Sequence, residues 1–300
     1  MSPSACQPMK RQYPKRRFLL IGGLLASLLM LAALQWWPLP ERLDNTPYAT
    51  LMLDRHGRLL DARIAEDQQW RFVPVAQLPD KYEQALLLFE DKRFYRHPGI
   101  DPLAIARAMR LNLEAGRVVS GGSTLSMQLA RLLRDDPPRT LTEKAREALL
   151  ALQLEWHFSK PEILVHYASR APFGGNIVGL RAASWRYFGR EPGALSWAEA
   201  ALLAVLPNSP SLIHPGRNRE RLLAKRDALL QQLHRQGAMA EADLRLALME
   251  PLPAAPRPLA GLAPHLLNTL SKTSTRRLLT TTLDADLQRR VQELARQHGR

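Results

Sequence analysis

From residue 79 to residue 249 the chain sets down one helix start after another, and this succession constrains its fold more than any other feature. Asp101 followed by Pro102 reads as a cap and first helical position, because the carboxylate can accept from first-turn amides and proline has no amide to leave unpaired there. Thr140 with Glu143, and Ser159 with Glu162, have the spacing at which a cap and its third residue satisfy each other's backbone. Apolar residues recur at helical intervals between these starts. The pattern predicts helices over residues 80–89, 102–115, 124–134, 141–158, 160–167, 178–187, 196–205, 217–236 and 240–249, with the proline-rich stretch 251–258 as a hinge. Gly116, Gly121 and Gly122 frame a flexible segment. The predicted fold class is mainly α.

Ahead of the helices, residues 18–34 are 17 uncharged, mostly aliphatic positions, extended by Gln35, Trp36 and Trp37 to about the ~20 needed to cross hydrocarbon. Lys10, Arg11, Lys15, Arg16 and Arg17 precede them without an acid, which predicts a cytoplasmic N-terminus and an extracytoplasmic remainder. A retained anchor is favoured over a cleaved signal peptide, since Leu34, Gln35, Trp36 and Trp37 occupy the place of a small-x-small site. Cys6, the only cysteine, then lies on the cytoplasmic side, and the outer part has neither thiol nor disulfide. The expected organisation is a basic tail over 1–17, a transmembrane anchor over 18–37, and a tether with a small β-hairpin over 38–78. In that hairpin residues 50–53 and 58–64 flank the turn Asp54-Arg55-His56-Gly57. A helical domain over 79–250 and a linker over 251–300 follow. No partner element is legible for the polar run 271–277 or the charged helical pattern 284–298, so the chain reads as the N-terminal portion of something longer.

The formal net charge of +14 falls to +9 once the five basic residues before the anchor are set aside, which favours anionic partners. Nucleic acid is excluded by the predicted address and by the lack of any zinc-finger spacing or RNP-like aromatic strand. Glu90 follows Leu86, Leu87, Leu88 and Phe89, and partial burial there would suit a carboxylate to general-base work. Glu147 offers a second acid on another helix. Arg131 and Arg134, closing a helix that begins at Gly122-Ser123-Thr124, could join Lys144 in a cationic wall against a diphosphate, for which helix-start amides and hydroxyls are natural ligands. The glycines lack the lysine of a Walker loop. His97 could orient its loop or bond Asp91.

Four ordered segments carry a resemblance. They are Glu90-Asp91-Lys92-Arg93-Phe94-Tyr95-Arg96-His97-Pro98-Gly99, the run from Gly121 through Gln128 to Arg131, Lys144-Ala145-Arg146-Glu147, and the run from Ser159 to Tyr167. Together they resemble the peptidoglycan glycosyltransferase domain of class A penicillin-binding proteins, and Arg170-Ala171-Pro172-Phe173-Gly174-Gly175 looks nearest the 1C type. The resemblance implies a lysozyme-like helical domain that polymerises lipid II with inversion at the anomeric carbon and release of undecaprenyl diphosphate. It implies Glu90 as general base and Glu147 as second acid, with Ser123, Thr124, Gln128, Arg131 and Lys144 about the diphosphate and Asp91, Phe94 and His97 shaping the first motif. It also implies lipid II, the growing lipid-linked glycan, the bilayer and other cell-wall synthesis proteins as partners, and an address on the periplasmic side of the bacterial inner membrane. Mg2+ or another divalent cation is compatible with the resemblance, although no compact ligand cluster is legible.

The sequence departs from the pattern at Met127, Arg131, Glu143 and Ser169, and the last motif is weak at Lys225 through Leu230. Residues 280–288 look like the lead-in to a transpeptidase domain, yet no Ser-x-x-Lys occurs in these 300 residues, so peptide crosslinking is not expected of them. A lysozyme-type hydrolase, which also uses two carboxylates, and a noncatalytic cell-wall scaffold are the competing readings.

Overall fold

A computed structural model describes residue 32 and residues 38–298, except 44, 118, 120, 135, 136, 139 and 209–217. The basic tail and all of the expected anchor but Ala32 lie outside the described residues, within which no helix is long and apolar enough to cross a membrane. The chain divides into two compact units, Met1–Leu39 and Pro40–Arg300, and only the second is described below.

This unit is mostly helical. Its helices are α1 (Asp80–Glu90), α2 (Pro102–Ala115), α3 (Leu125–Leu132), α4 (Leu141–His157), α5 (Lys160–Arg170), α6 (Leu180–Phe188), α7 (Trp197–Val205), α8 (Arg219–Arg235), α9 (Glu241–Met249), α10 (Pro264–Thr273) and α11 (Ala285–His298). The strands are β1 (Thr50–Leu53), β2 (Leu59–Arg63), β3 (Trp70–Arg71), β4 (Ile177–Val178) and β5 (Leu278–Thr280). The α7 sequence is apolar all round apart from its cap, and seven of its nine residues are buried, as a central helix requires. It packs against α1 and α8, while α3 packs against α4 and α5.

The predicted caps form with one change. Asp101 accepts from the Ala104 amide at 2.9 Å. At Ser159 the Glu162 carboxylate returns to the cap, accepting from the Ser159 amide at 2.8 Å and its hydroxyl at 2.7 Å. At Thr140 only half of the reciprocal arrangement is made, because the Glu143 side chain turns away to Arg134 and Arg146. The expected hinge at 251–258 is tied down: Arg219 donates to the carbonyls of Leu252 and Pro253 at 3.0 and 2.7 Å, and the Arg257 amide donates to Arg186.

The expectation that the last forty residues lack a partner is overturned by the sheet. β1 pairs antiparallel with β2, as the hairpin reading predicts, and on its other edge pairs parallel with β5, Leu51 opposite Leu278 and Leu53 opposite Thr280. Met52, Leu60, Leu262, Leu267, Leu279 and Ala285 then close a small apolar core. The hairpin turn is fastened to α11 by Asp54, which is fully buried. Asp54 accepts from the amides of His56, Arg58 and Ala285 at 2.8, 2.8 and 3.1 Å and from Arg58 Nε at 2.9 Å, while Arg58 also reaches Asp286. Burial alone would raise the Asp54 pKa, but these donors, the Arg58 amide foremost, hold it down to about 2.

A folded-state pKa below the unfolded one gives stability that is complete above the ordinary carboxylate range and is lost as pH falls through it toward 2. Exchange protection of residues 278–298 should therefore drop between about pH 4 and pH 2. Asp54→Ala, which strands several buried donors at about 1–3 kcal/mol each, should abolish that protection already at pH 7 and lower the denaturant midpoint. Hydrogen exchange at the two pH values checks both statements.

Candidate functional site

The site is built around the N-terminus of α3. Asp91, the residue after α1, is buried, and both of its oxygens lie 3.1 Å from His97 Nε2. His97 Nδ1 accepts from the Gly99 amide at 3.2 Å, so the ring proton sits on Nε2 and faces the carboxylate. Asp91 Oδ2 also accepts from the amide of Leu125, the first residue of α3, at 3.1 Å. The loop thus closed runs from residue 91 to residue 99. The Thr124 hydroxyl donates to the Gly99 carbonyl and accepts from the Met127 amide at 3.2 Å, so it caps α3 and pins the loop at once.

Beneath this loop Phe94 is buried, with Lys160 Nζ 4.2 Å from its ring centroid. The same ammonium donates to the His97 carbonyl at 2.6 Å and to Glu155 at 2.7 Å. Ser126 completes the cluster with a hydrogen bond to Glu155. Sequence reading missed Lys160, Glu155 and Ser126; Lys160 stands in the fourth motif but reads there as an ordinary first-turn residue.

Gln128 and Arg131, one turn apart on α3, each meet one of the two predicted acids. Gln128 Nε2 donates to Glu90 Oε2 at 2.9 Å, and Gln128 Oε1 accepts from the Tyr167 hydroxyl of α5 at 3.2 Å. Arg131 Nη1 is 3.7 Å from Glu147 Oε1, and its Nη2 donates to the Pro137 carbonyl at 2.8 Å. Glu147 is 3 % exposed, whereas the Lys144 side chain, 2.9 Å from its Oε2, is 44 % exposed and also donates to the Ser123 hydroxyl. One turn away Arg134 pairs with Glu143 at 2.6 Å, a second rung between α3 and α4. That pair holds the Glu143 carboxyl below its usual range, with the Arg134 hydrogen bond the main cause.

Of the predicted site residues, Ser123, Arg131, Lys144 and Glu147 therefore converge on one network, and Glu90 with Gln128 forms another joined to it through α3. Gln128, expected beside the diphosphate, has its amide between Glu90 and Tyr167. Asp91, His97 and Thr124 hold the loop and the helix start, and Phe94 is packed below them. Tyr82, fully buried on α1, and Tyr167 were both missed; burial, and after it the charge of Glu90, pushes both phenols upward.

Among the described residues Asp91, His97 and Asp101 have donor atoms close enough to share an ion. Their chemistry does not suit one. His97 bonds through both ring nitrogens, and Asp101 takes the Arg93 guanidinium and caps α2 with its pKa held at about 2, chiefly by Arg93. Glu147 is likewise neutralised by Lys144 and Arg131. Among the described residues, neither of these clusters fits a resident divalent cation.

Residues 56–234 match the family described as Transglycosylase. Penicillin-binding protein 1C of Escherichia coli strain K12 is 45% identical over 260 residues, covering 86% of this chain and 33% of that protein. Penicillin-binding protein 1A of Aquifex aeolicus is 37% identical over 217 residues, covering 72% and 30%, and penicillin-binding protein 1F of Bacillus subtilis is 37% identical over 196 residues, covering 64% and 27%. The chain spans about a third of the length of the curated relatives it matches.

The loop geometry makes Gly99 a sharp test. Its φ is +97°, and a Cβ there would lie 2.9 Å from the Ala151 carbonyl oxygen on α4. Gly99→Ala should destabilise the fold by about 1–3 kcal/mol and loosen the His97 ring, seen as a lowered melting temperature and changed chemical shifts of the His97 ring. A melting temperature within experimental error of wild type would show that the loop accommodates the methyl group.

Proposed function

This chain belongs to the transglycosylase family, and on that premise we propose that it polymerises lipid II into glycan strands. The observation that carries the reading is the position of α3 between the two acids. A half-buried carboxylate held by a neutral amide lies at one side of it, and a cationic wall about a buried carboxylate at the other. General-base chemistry needs the first, and a diphosphate leaving group needs the second.

In the reaction Glu90 takes the proton from the 4-hydroxyl of the incoming N-acetylglucosamine as that oxygen attacks the anomeric carbon of the donor. The bond from this carbon to the diphosphate oxygen breaks on the opposite face, so configuration inverts and undecaprenyl diphosphate leaves with the electron pair. Lys144 and Arg131, with the Ser123 hydroxyl, stabilise the charge that grows on the leaving group. Glu147 keeps the two cations in place. Glu143, an acid where the resemblance expects arginine, is offset by its pairing with Arg134 and Arg146. Gln128 serves the base rather than the diphosphate, and Asp91, His97 and Thr124 fix the frame from which Glu90 projects.

The proposal includes a lysozyme-like arrangement for the domain over 79–250, a single anchor over 18–37 that leaves the domain on the periplasmic side, and 251–300 as the passage toward a transpeptidase domain. It also includes contact with the bilayer. α2 carries Leu103, Met109 and Leu113 at 64 %, 61 % and 81 % exposure, and Val119 follows at 49 %. Arg107, Arg110 and Arg117 are exposed on the same stretch, where cations near an anionic surface contribute about 1 kcal/mol each. Leu111 is half-buried, and Val118 lies outside the described residues.

Two measurements test the reading. Glu90→Gln keeps shape and hydrogen bonding but cannot take a proton, so polymerisation of lipid II should fall about 10²- to 10⁴-fold with an unchanged melting temperature. A folded variant that keeps more than about a tenth of wild-type turnover removes Glu90 as the base. For the surface, Leu103, Met109 and Leu113 replaced together by serine should weaken binding of the protein lacking residues 1–37 to anionic vesicles about tenfold or more. Unchanged vesicle binding would detach α2 from the membrane.

A further inference from the structure

The segment 170–175, singled out by its sequence, has no part in the reaction as described, yet it opens on a buried cation. Arg170, the last residue of α5, is 8 % exposed. Its Nη1 stays with its own helix, donating to the Ser169 hydroxyl at 3.1 Å and the His166 carbonyl at 3.3 Å. Its Nη2 crosses to the start of the described unit, donating to the carbonyls of Arg42 and Leu43 at 3.1 and 3.2 Å and to the Thr46 hydroxyl at 3.3 Å. Those two carbonyls close the 3₁₀ turn Glu41–Leu43, where a helical turn runs out of partners within itself.

The rest of the segment builds the ground beside this grip. Phe173 is buried, its carbonyl accepts from the Tyr187 hydroxyl at 2.7 Å, and its amide donates to the carbonyl of Ile177 in β4 at 2.9 Å. β4 pairs with β3, and Arg71 of β3 donates to the Pro47 carbonyl at 2.8 Å and accepts from the Ala49 amide at 2.7 Å. Burying a guanidinium is unfavourable unless its donors are met, and an apolar side chain of similar size would fill the place without that penalty. Packing alone therefore does not account for Arg170. A rigid fork whose donors point two ways suits a residue that joins two segments.

We propose that Arg170 is a positioning residue that joins the segment leaving the membrane anchor to α5, so that the catalytic body is held on a short length of chain. The proposal rests on the anchor over 18–37 and on lipid II as a substrate carried in the same bilayer. From residue 37 the chain reaches Arg42 in five residues and Pro47, which Arg71 holds, in ten, so it can span at most about 17 Å with the grip and about 35 Å without it. Effective concentration falls roughly as the −3/2 power of linker length, so loss of the grip should lower encounter with a substrate in that bilayer by about threefold. A substrate dissolved in water is indifferent to this length.

The test uses the full chain in phospholipid vesicles and compares wild type with Arg170→Ala and with a five-residue Gly-Ser insertion between Leu39 and Pro40, which lengthens the chain equally and leaves Arg170 in place. Without substrate, hydrogen exchange over residues 40–47 should quicken about tenfold or more in Arg170→Ala alone. Energy transfer from a dye on Glu293→Cys, in a Cys6→Ser background, to an acceptor lipid should fall in both variants. The apparent KM for lipid II in the same vesicles should rise about threefold in both with kcat unchanged, while turnover of a short-chain, water-soluble lipid II analogue should stay as in wild type. Unchanged exchange in Arg170→Ala, or unchanged energy transfer in the insertion variant, would overturn the proposal. So would an equal loss on both substrates, which would make Arg170 a structural part of α5 and nothing more. If Arg170→Ala does not fold, the insertion variant decides by energy transfer and by the pair of substrates. A wild type that turns over neither substrate would count against the proposed function alone, because exchange and energy transfer are read without substrate.

Discussion

The site depends on the buried carboxylate of Asp91. It follows Glu90 directly, accepts the His97 ring proton, and accepts the first amide of α3. One side chain therefore fixes the end of α1, the shape of the loop over residues 91–99 and the start of the helix that carries Gln128 and Arg131. A carboxylate at a helix N-terminus also interacts favourably with the positive end of the macrodipole, by about 0.3–1 kcal/mol and more when partly buried. Because the His97 tautomer is set by the Gly99 amide, the ring can donate only toward Asp91, and the three attachments reinforce one another.

The charged groups about α3 form rungs. Arg131 meets Glu147, Arg134 meets Glu143, and Lys144 leans on Glu147 from the solvent side. Breaking a buried ion pair leaves an uncompensated charge, which is more costly than never having made the pair. The register of α3 against α4 is therefore specified by polar contacts as well as by the apolar residues between them. Lys144 combines this role with exposure, so it can meet an anion without first leaving the buried carboxylate.

Much of this was legible beforehand. Capping residues are local and carry their own signal, so Asp101, Thr124, Thr140, Ser159 and Ser196 mark helix starts within a residue or two of where they occur. The two acids stand out because each sits in a short motif. Long-range pairing gives no such signal. Nothing near Gln128 indicates that its partners are Glu90 and Tyr167, and nothing near Lys160 indicates that it lies under His97. Glu143 fits a reciprocal cap by spacing and leaves it because two arginines offer a better partner than one amide. In α8 the weak final motif drew attention to Lys225, whereas the cation buried there is its neighbour Arg226, 1 % exposed.

The parallel pairing of β1 with β5 has a consequence for synthesis. Its strands are separated by more than two hundred residues, so β1 and β2 can form their hairpin early, while the other edge of β1 has no partner until the chain has been made past Thr280. At ribosomal rates of about 5–20 residues per second this interval lasts on the order of tens of seconds. For that time the edge Leu51-Met52-Leu53 is a short apolar template for strand addition by another chain, the hazard that unpaired edges bring to nascent proteins. The arrival of β5 removes the template, and the β5 pairing is then the step that makes the sheet safe from association with its own copies.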